Sequence, residues 1–269
     1  LVLMTEQPVF SSSSQDSMTT IKLPVIPFRD TVLFPGVTVP VGAGREGTIE
    51  AVQVALEGSK QLFAVCQRNP EMETVHPNNL YDVGVLITIL KSHPVSGGVE
   101  LLVRVEGRAR VMLYEPVGKS MFYATVEPLA DVYNPATDQE TIEALYRTLQ
   151  ERAMVLGGYR GIPIEALQQL IAEVPDGGRL ADIIAFYLEL SSAEKQALLE
   201  ERYTDDRMRR VLLAMEREIL RLEAQRAIQQ KVQEELGEKQ REMLLREHLK
   251  AIQKELGEDE VVADELAQK

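Results

Sequence analysis

From Thr204 to Leu256 the chain contains no proline, and only Gly237 interrupts a run dominated by Glu, Arg, Gln, Leu, Ala and Lys. Residue choice over that stretch predicts one helix. At 1.5 Å of rise per residue it reaches roughly 80 Å, about twice the width of an ordinary domain. A helix of that length cannot bury itself against the residues that precede it. The expectation is therefore a protruding arm over 204–257, with 258–269 opening a linker toward a further module and the whole chain forming the front part of a larger protein.

The arm carries two apolar seams. Met208, Leu212, Met215, Ile219 and Leu222 step by 4-3-4-3, and Leu245, Leu249, Ile252 and Leu256 step by 4-3-4. The first is expected to pack on a helical bundle and the second to need a partner from outside this fold. Gly237 is expected to act as a hinge, and Gly257, followed by Glu258-Asp259-Glu260, to end the helix, because acid beside the negative helix end is unfavourable.

Before the arm, the pattern changes twice. Residues 1–20 include the Ser-rich stretch Ser11–Ser17 and are expected to be a disordered tail, with Met4 or Met18 as the natural start. Residues 21–128 read as mostly β. Seven short strands are expected at Ile21–Phe28, Val37–Val41, Gln61–Cys66, Val83–Lys91, Val99–Glu106, Ala109–Tyr114 and Phe122–Glu127. His93-Pro94-Val95-Ser96-Gly97-Gly98 is a turn signal, and one helix, Arg45–Leu56, presents Ile49, Val52 and Leu56 on a single face. Such a set suggests a curled sheet or pseudo-barrel. Residues 129–138 contain Asn134-Pro135 and read as a linker. A helical bundle over 139–203 follows, with helices at Gln139–Leu156 (ended by Gly157-Gly158), from Pro163 to about Val174, at Arg179–Leu190, and from a capping box at Ser191 to Arg202. The fold class is α+β.

Charge and motifs exclude several functions. The 29 Lys and Arg against 42 Asp and Glu leave a net charge of −13, and residues 129–202, with 13 acidic and 6 basic groups, are the most acidic part. No region is a basic footprint, so nucleic-acid binding by phosphate neutralisation has no support. No apolar run approaches the roughly 18 residues of a membrane span. A single cysteine, Cys66, lies in an apolar run, which fits a reducing compartment and a buried small hydrophobe. Gly118-Lys119-Ser120 looks like the end of a phosphate-binding loop, but Leu113 stands where that loop needs its first glycine. His76, His93 and His248 show no metal-ligand spacing. No catalytic, cofactor-binding or metal-binding residue is nominated.

Two segments carry a family resemblance. One runs Leu23-Pro24-Val25-Ile26-Pro27-Phe28-Arg29-Asp30-Thr31-Val32-Leu33-Phe34-Pro35-Gly36, and the other Arg246-Glu247-His248-Leu249-Lys250-Ala251-Ile252-Gln253-Lys254-Glu255-Leu256-Gly257-Glu258. Together with Leu80-Tyr81-Asp82-Val83-Gly84 and Val105-Glu106-Gly107-Arg108, they closely resemble the amino-terminal region of bacterial Lon, the ATP-dependent AAA+ protease. The resemblance implies a PUA-like β domain, a helical bundle and a long arm. Beyond the chain it implies an ATPase module using ATP and Mg and a protease with a Ser–Lys dyad. It further implies a cytoplasmic homohexamer whose amino-terminal region selects unfolded, damaged or degron-bearing substrates.

A selector of unfolded chains needs exposed apolar patches rather than one deep polar pocket. Candidate contacts are Phe34, Pro35, Met72, Met121 and Phe122, all in the β part, so residues 21–128 are expected to respond to an unfolded protein. Assembly candidates are Leu245, Leu249, Ile252 and Leu256. The competing reading is a stand-alone PUA-like ligand- or RNA-binding domain with a coiled-coil oligomerisation arm, against which the acidic balance argues.

Overall fold

The computed structural model describes residues 20–267 apart from Lys119 and Pro175, with side chains described through Ile252. The elements run β1 (Ile21–Phe28), β2 (Thr38–Ala43), α1 (Glu46–Glu57), β3 (Gln61–Cys66), a short 3-10 turn (Pro77–Asn79), β4 (Val83–Val95), β5 (Gly98–Val117) and β6 (Met121–Leu129). Five helices follow: α2 (Gln139–Tyr159), α3 (Ile164–Ala172), α4 (Gly177–Tyr187), α5 (Ser192–Glu200) and α6 (Thr204–Ala267).

The strands form one mixed sheet in the order β2-β5-β4-β3-β1-β6, and β5 also pairs with β6. Six strands stand where seven were expected. Val99–Glu106 and Ala109–Tyr114 are halves of the single strand β5. The first half pairs with β2 and β4, and the second pairs with β6 while its start, Ala109 and Arg110, still pairs with β4. Gly107 does not end it; instead the register shifts, at Leu86/Ile87 and Ile89/Lys91 against β4 and at Val111/Leu113 against β6. Bulges bend a strand without terminating it, so β5 turns from one side of the sheet to the other. The result is a curled pseudo-barrel and not a closed barrel. The β4–β5 turn is also tighter than expected: Val95 pairs with Gly98, leaving only Ser96 and Gly97 between them.

Parallel pairing of β1 with β3 requires a crossover. Helix α1 supplies it and packs on β1, β3 and β6. Its buried face is Gly47, Thr48, Ala51, Val52 and Ala55, smaller than the expected Ile49–Val52–Leu56 face; Ile49 and Leu56 are only half-buried. Small side chains let the helix lie close to the sheet. One core cluster of the sheet gathers Leu23, Val25, Phe63, Val65, Leu80, Ala109, Ala124 and Val126.

Among the helices, α2 runs through Gly157 and Gly158, where it was expected to stop. A Cβ at Gly157 would collide with Leu167 Cδ1, so this glycine serves close approach of α3, not termination. The stop comes at Gly161, whose φ of +73° is the left-handed conformation that follows many helix ends. Helix α4 is capped by Asp176, whose carboxylate accepts from Arg179 N–H at 2.8 Å. Helix α5 has the expected box, with Ser191 and Glu194 bonded reciprocally.

The described residues up to Met215 form one compact unit and those from Glu216 a second. The β-sheet and the short helices thus fold together, along with the first turns of α6, in which Met208 and Met215 are buried. Helix α6 is unbroken at Gly237 and passes Gly257 to end at Ala267, correcting both the expected hinge and the expected stop. One glycine costs about 1 kcal/mol in a helix interior. That is too little to break a long helix without a proline or a cap.

Candidate functional site

The β-domain contact candidates are mostly consumed by the core. Gly36 N–H donates to Val105 O (3.0 Å) and Val105 N–H to Val37 O (2.9 Å), laying the loop after β1 against β5. Phe34 on that loop is fully buried and Pro35 is half-buried. Met121 is buried too, and Phe122 packs its partly covered ring on the core cluster. Only Met72 stays outside, at 39% exposure. Its loop is held by Gln67 Nε2, which donates to Met72 O at 3.0 Å, and by reciprocal bonds between Asn69 and Asn79.

A buried ionic seam joins the sheet to the helices. Arg108 on β5 forks onto Asp182 of α4, with Nη1 donating to Oδ2 at 2.8 Å and Nη2 to Oδ1 at 2.5 Å, while its Nε donates to Leu199 O at 2.9 Å. Arg207 of α6 reaches the same carboxylate, its Nε 2.9 Å from Oδ1 at ion-pair distance, and donates from Nη2 to Asp131 at 2.8 Å. All three of Arg108, Asp182 and Arg207 are buried. Burial raises the proton affinity of Asp182, opposed by the hydrogen bond and charge of Arg108 and by the charge of Arg207. Residues 129–138, expected as a linker, are tied into this seam. Thr204 N–H donates to Val132 O (2.8 Å), and Asp205 accepts from Asn134 N–H (2.9 Å) and the Thr137 hydroxyl (2.7 Å). These contacts tie β5, α4, α6 and residues 129–138 together, while the buried Arg207 Nε and Thr204 Oγ1 make no hydrogen bond.

The other side of α4 is different in kind. Helices α2, α3 and α4 leave a groove of about 360 Å³ between them. Leu156 and Gly157 form one wall, Leu167 and Leu170 the second, Ile183 and Tyr187 the third. Helix α3 is the loosest wall: Ile171 is its one buried residue, while Ile164 and Leu170 are 57% and 48% exposed. The groove's one charged lining residue, Arg160, donates from Nη1 to Tyr187 O at 2.8 Å. Sequence patterning missed this site because its residues read as ordinary amphipathic helix faces. The available signal was the doubled apolar content of α3, where Ile164, Leu167, Leu170 and Ile171 exceed what one small contact can cover.

Among the described residues no group of His, Cys, Asp and Glu could hold a metal ion, and no helix is long and apolar enough to cross a membrane. Cys66 is buried, and burial together with the nearby Asp30 charge pushes its thiol up to about 11, which keeps it protonated and inert. Gly118 lies in the β5–β6 turn, not at a strand-to-helix junction, so the phosphate-loop likeness fails on context.

A family model described as the ATP-dependent protease La (LON) substrate-binding domain matches residues 22–217. The chain belongs to this family. It is 42% identical over 241 residues to Lon protease 1 of Sorangium cellulosum, covering 88% of this chain and 30% of that protein. With Lon protease of Escherichia coli K12 it shares 34% identity over 250 residues, covering 91% of this chain and 31% of the relative. This Lon region therefore spans about a third of the length of the curated relatives it matches. Its fold is like that of the N-terminal domain of Mycobacterium avium complex Lon protease, with a TM-score of 0.58, 24% identity, and coverage of 73% of this chain and 98% of that one. The expected family is thus shown, and nothing favours the RNA-binding alternative.

Proposed function

We propose that this Lon region holds non-native polypeptide segments in the α2–α3–α4 groove and presents them to an ATPase and serine-protease module carried by the full-length cytoplasmic protein, with ATP and Mg used there. The groove carries the reading: it is an apolar concavity among the helices, whereas most of the β-domain candidates are taken up by the core, and the family model that covers it is a substrate-binding one. Apolar, adaptable surface suits a selector that must accept many sequences. Burying two large side chains of a substrate contributes about 3–6 kcal/mol, most of it offset by ordering the bound chain. Single-site affinity should be micromolar or weaker, and six copies in a homohexamer would raise it by avidity. Met72, rigidly displayed, is a secondary contact.

Amide shift mapping with an unfolded protein and its folded form tests this. Leu156, Leu167, Leu170 and Ile183 should respond to the unfolded form alone. A response confined to residues 21–128, or equal responses to both forms, would place the site elsewhere.

The distal seam of α6 serves assembly in the same proposal. Leu245, Leu249 and Ile252 are each more than half exposed; Leu256 lies outside the residues whose side chains are described. Substituting Leu249 and Ile252 with Glu in the full-length protein should weaken hexamers, measured by sedimentation, and ATP-dependent degradation. Normal hexamers in that variant would make the seam a solvated helix face.

A further inference from the structure

The sheet leaves one strand with a single neighbour. In the order β2-β5-β4-β3-β1-β6 the far end, β6, also pairs with β5, so β2 is the strand that ends the sheet. Val105 N–H donates to Val37 O, which turns Val37 toward β5. Strand alternation then turns Val39, Val41 and Ala43 the same way and Thr38, Pro40 and Gly42 outward. Pro40 fits that phase, because a proline facing β5 would cost the ladder a donor. The outer edge therefore presents the N–H groups of Thr38 and Gly42 and the carbonyls of Thr38, Pro40 and Gly42. Among the described residues no backbone bond outside the ladder to β5 reaches any of them. The side chains at these outward positions are exposed, while Val39, Val41 and Ala43 are buried.

Beside this edge lies an open depression of about 390 Å³, whose lining includes Pro40, Gly42, Gly44, Val95, Gly97 and Glu100. A Cβ at Gly42 or Gly97 would meet nothing within 4 Å, and Val95 is 49% exposed, so a large side chain has room there. An unpaired edge is a template for pairing with another chain. A second copy is a poor occupant: each β2 brings the donor missing at Pro40, so two paired copies carry two defects where a foreign strand meets one. A folded protein is a poor occupant too, because its main chain is already paired. We propose that the outer edge of β2 takes up an extended segment of non-native polypeptide as an added strand, held by main-chain hydrogen bonds to Thr38, Pro40 and Gly42, with one large apolar side chain in the depression. Main-chain bonding of this kind asks little of the sequence it holds, and the depression adds a preference at one position. The contact is separate from the α2–α3–α4 groove and stands or falls without it.

One labelled ten-residue peptide, alternating Val and Thr between terminal lysines, is titrated against the intact chain by fluorescence anisotropy in three forms: unmodified, N-methylated on its odd-numbered amides, and N-methylated on its even-numbered ones. Only one set of amides can face β2. Methylating that set should weaken binding roughly 10-fold or more, since several main-chain bonds are lost together, and methylating the other set should weaken it much less. On the protein, Gly42→Pro removes an outward donor at a position equivalent to Pro40 and should weaken the unmodified peptide by a similar factor. Gly42→Ala keeps the donor and should bind nearly as the parent does. Leu170→Ser should leave the peptide's affinity unchanged.

The methylation contrast is read on the parent protein and so decides the matter even where Gly42→Pro fails to fold. Equal binding of the two methylated forms overturns the proposal, because an added strand has one bonded side. No binding of the unmodified peptide overturns it as well, as does parent-like binding by a folded Gly42→Pro. Loss of binding in Leu170→Ser would seat the peptide in the groove, overturning the β2 contact while supporting the groove. A methylation contrast that persists in Leu170→Ser supports the β2 edge whatever becomes of the groove.

Discussion

The two faces of α4 are used in different ways. Its inward side buries Ala181 and Ala185 together with one carboxylate, Asp182, beside two guanidiniums. Its outward side carries Ile183 and Tyr187 along an open apolar groove, with Tyr187 58% exposed. Buried ion pairs are weak sources of stability, because desolvation consumes the Coulombic gain. What the seam supplies is orientation: a bidentate fork from β5 and a second guanidinium from α6 accept one position of α4. With α4 fixed by polar geometry, its apolar side is left for a transient occupant.

Breaking the seam should produce the largest effect. Asp182→Ala leaves Arg108 and Arg207 buried with one partly exposed carboxylate, Asp131, between them. Removing one partner of a buried pair costs about 3–5 kcal/mol. Urea denaturation should register that loss, and the triple replacement Arg108→Met, Asp182→Leu, Arg207→Met should recover most of it. If Asp182→Ala is as stable as the parent, α4 is held by its apolar contacts and the contrast between its faces has no structural meaning.

A change on the groove side should cost less and alter shape more. Gly157→Ala places a methyl against Leu167. Overpacking costs about 1–3 kcal/mol, and relief is available because α3 is loosely held. The expected result is a modest fall in melting temperature with hydrogen exchange in α3 faster than in α2. Unchanged exchange in α3 would mean that its attachment does not depend on this contact.

The seam and the groove differ in how much of them could be seen in the sequence. Arg108 was visible, as the end of Val105-Glu106-Gly107-Arg108, and Asp131 and Asp182 were visible only as part of an acidic excess. Their pairing spans 74 residues between Arg108 and Asp182, and no local period encodes such a contact. Strand positions were legible because β-branched runs and turn residues alternate. The merging of two strands into β5 was not, since a glycine marks a bulge and a break alike. Phe34, Met121 and Phe122 each adjoin a turn, which makes them candidates for a contact surface as well as for the small β core. Backbone bonds from the loop after β1 to β5 settle Phe34, and pairing of β6 with β5 settles Met121 and Phe122; both depend on tertiary register.

Acid should separate the polar contacts further. Burial raises Asp205, but the bonds from Asn134 N–H, the Thr137 hydroxyl and Arg209 outweigh it and hold the carboxyl below its ordinary value. The native state therefore binds that proton less readily than the unfolded chain, whose aspartates titrate near pH 4. Stability from Asp205 is fully present above that value and is lost as pH falls through the lower native value. Asp205→Asn should cost about 1 kcal/mol at pH 7, read from urea midpoints, and the gap between variant and parent should close as pH drops below 4. A gap constant with pH would assign the loss to geometry instead of charge.

The smallest change in stability should come from Leu170→Ser. Half of Leu170 already faces solvent, and α3 buries only Ile171, so the folded state loses little packing. Helix propensity changes by a few tenths of a kcal/mol, and the total should stay within about 0.5 kcal/mol. The same substitution removes one apolar wall residue from the groove, where an occupant's side chain would otherwise gain about 1–2 kcal/mol. Binding of an unfolded protein should then weaken roughly 10-fold while the urea midpoint barely moves, since about 1.4 kcal/mol corresponds to a factor of ten. That dissociation between stability and binding is what a preformed, unfilled apolar face predicts. If instead Leu170→Ser lowers stability by several kcal/mol, α3 is a core helix, the groove is closed by its own side chains, and the outward face of α4 is as fully committed as the inward one.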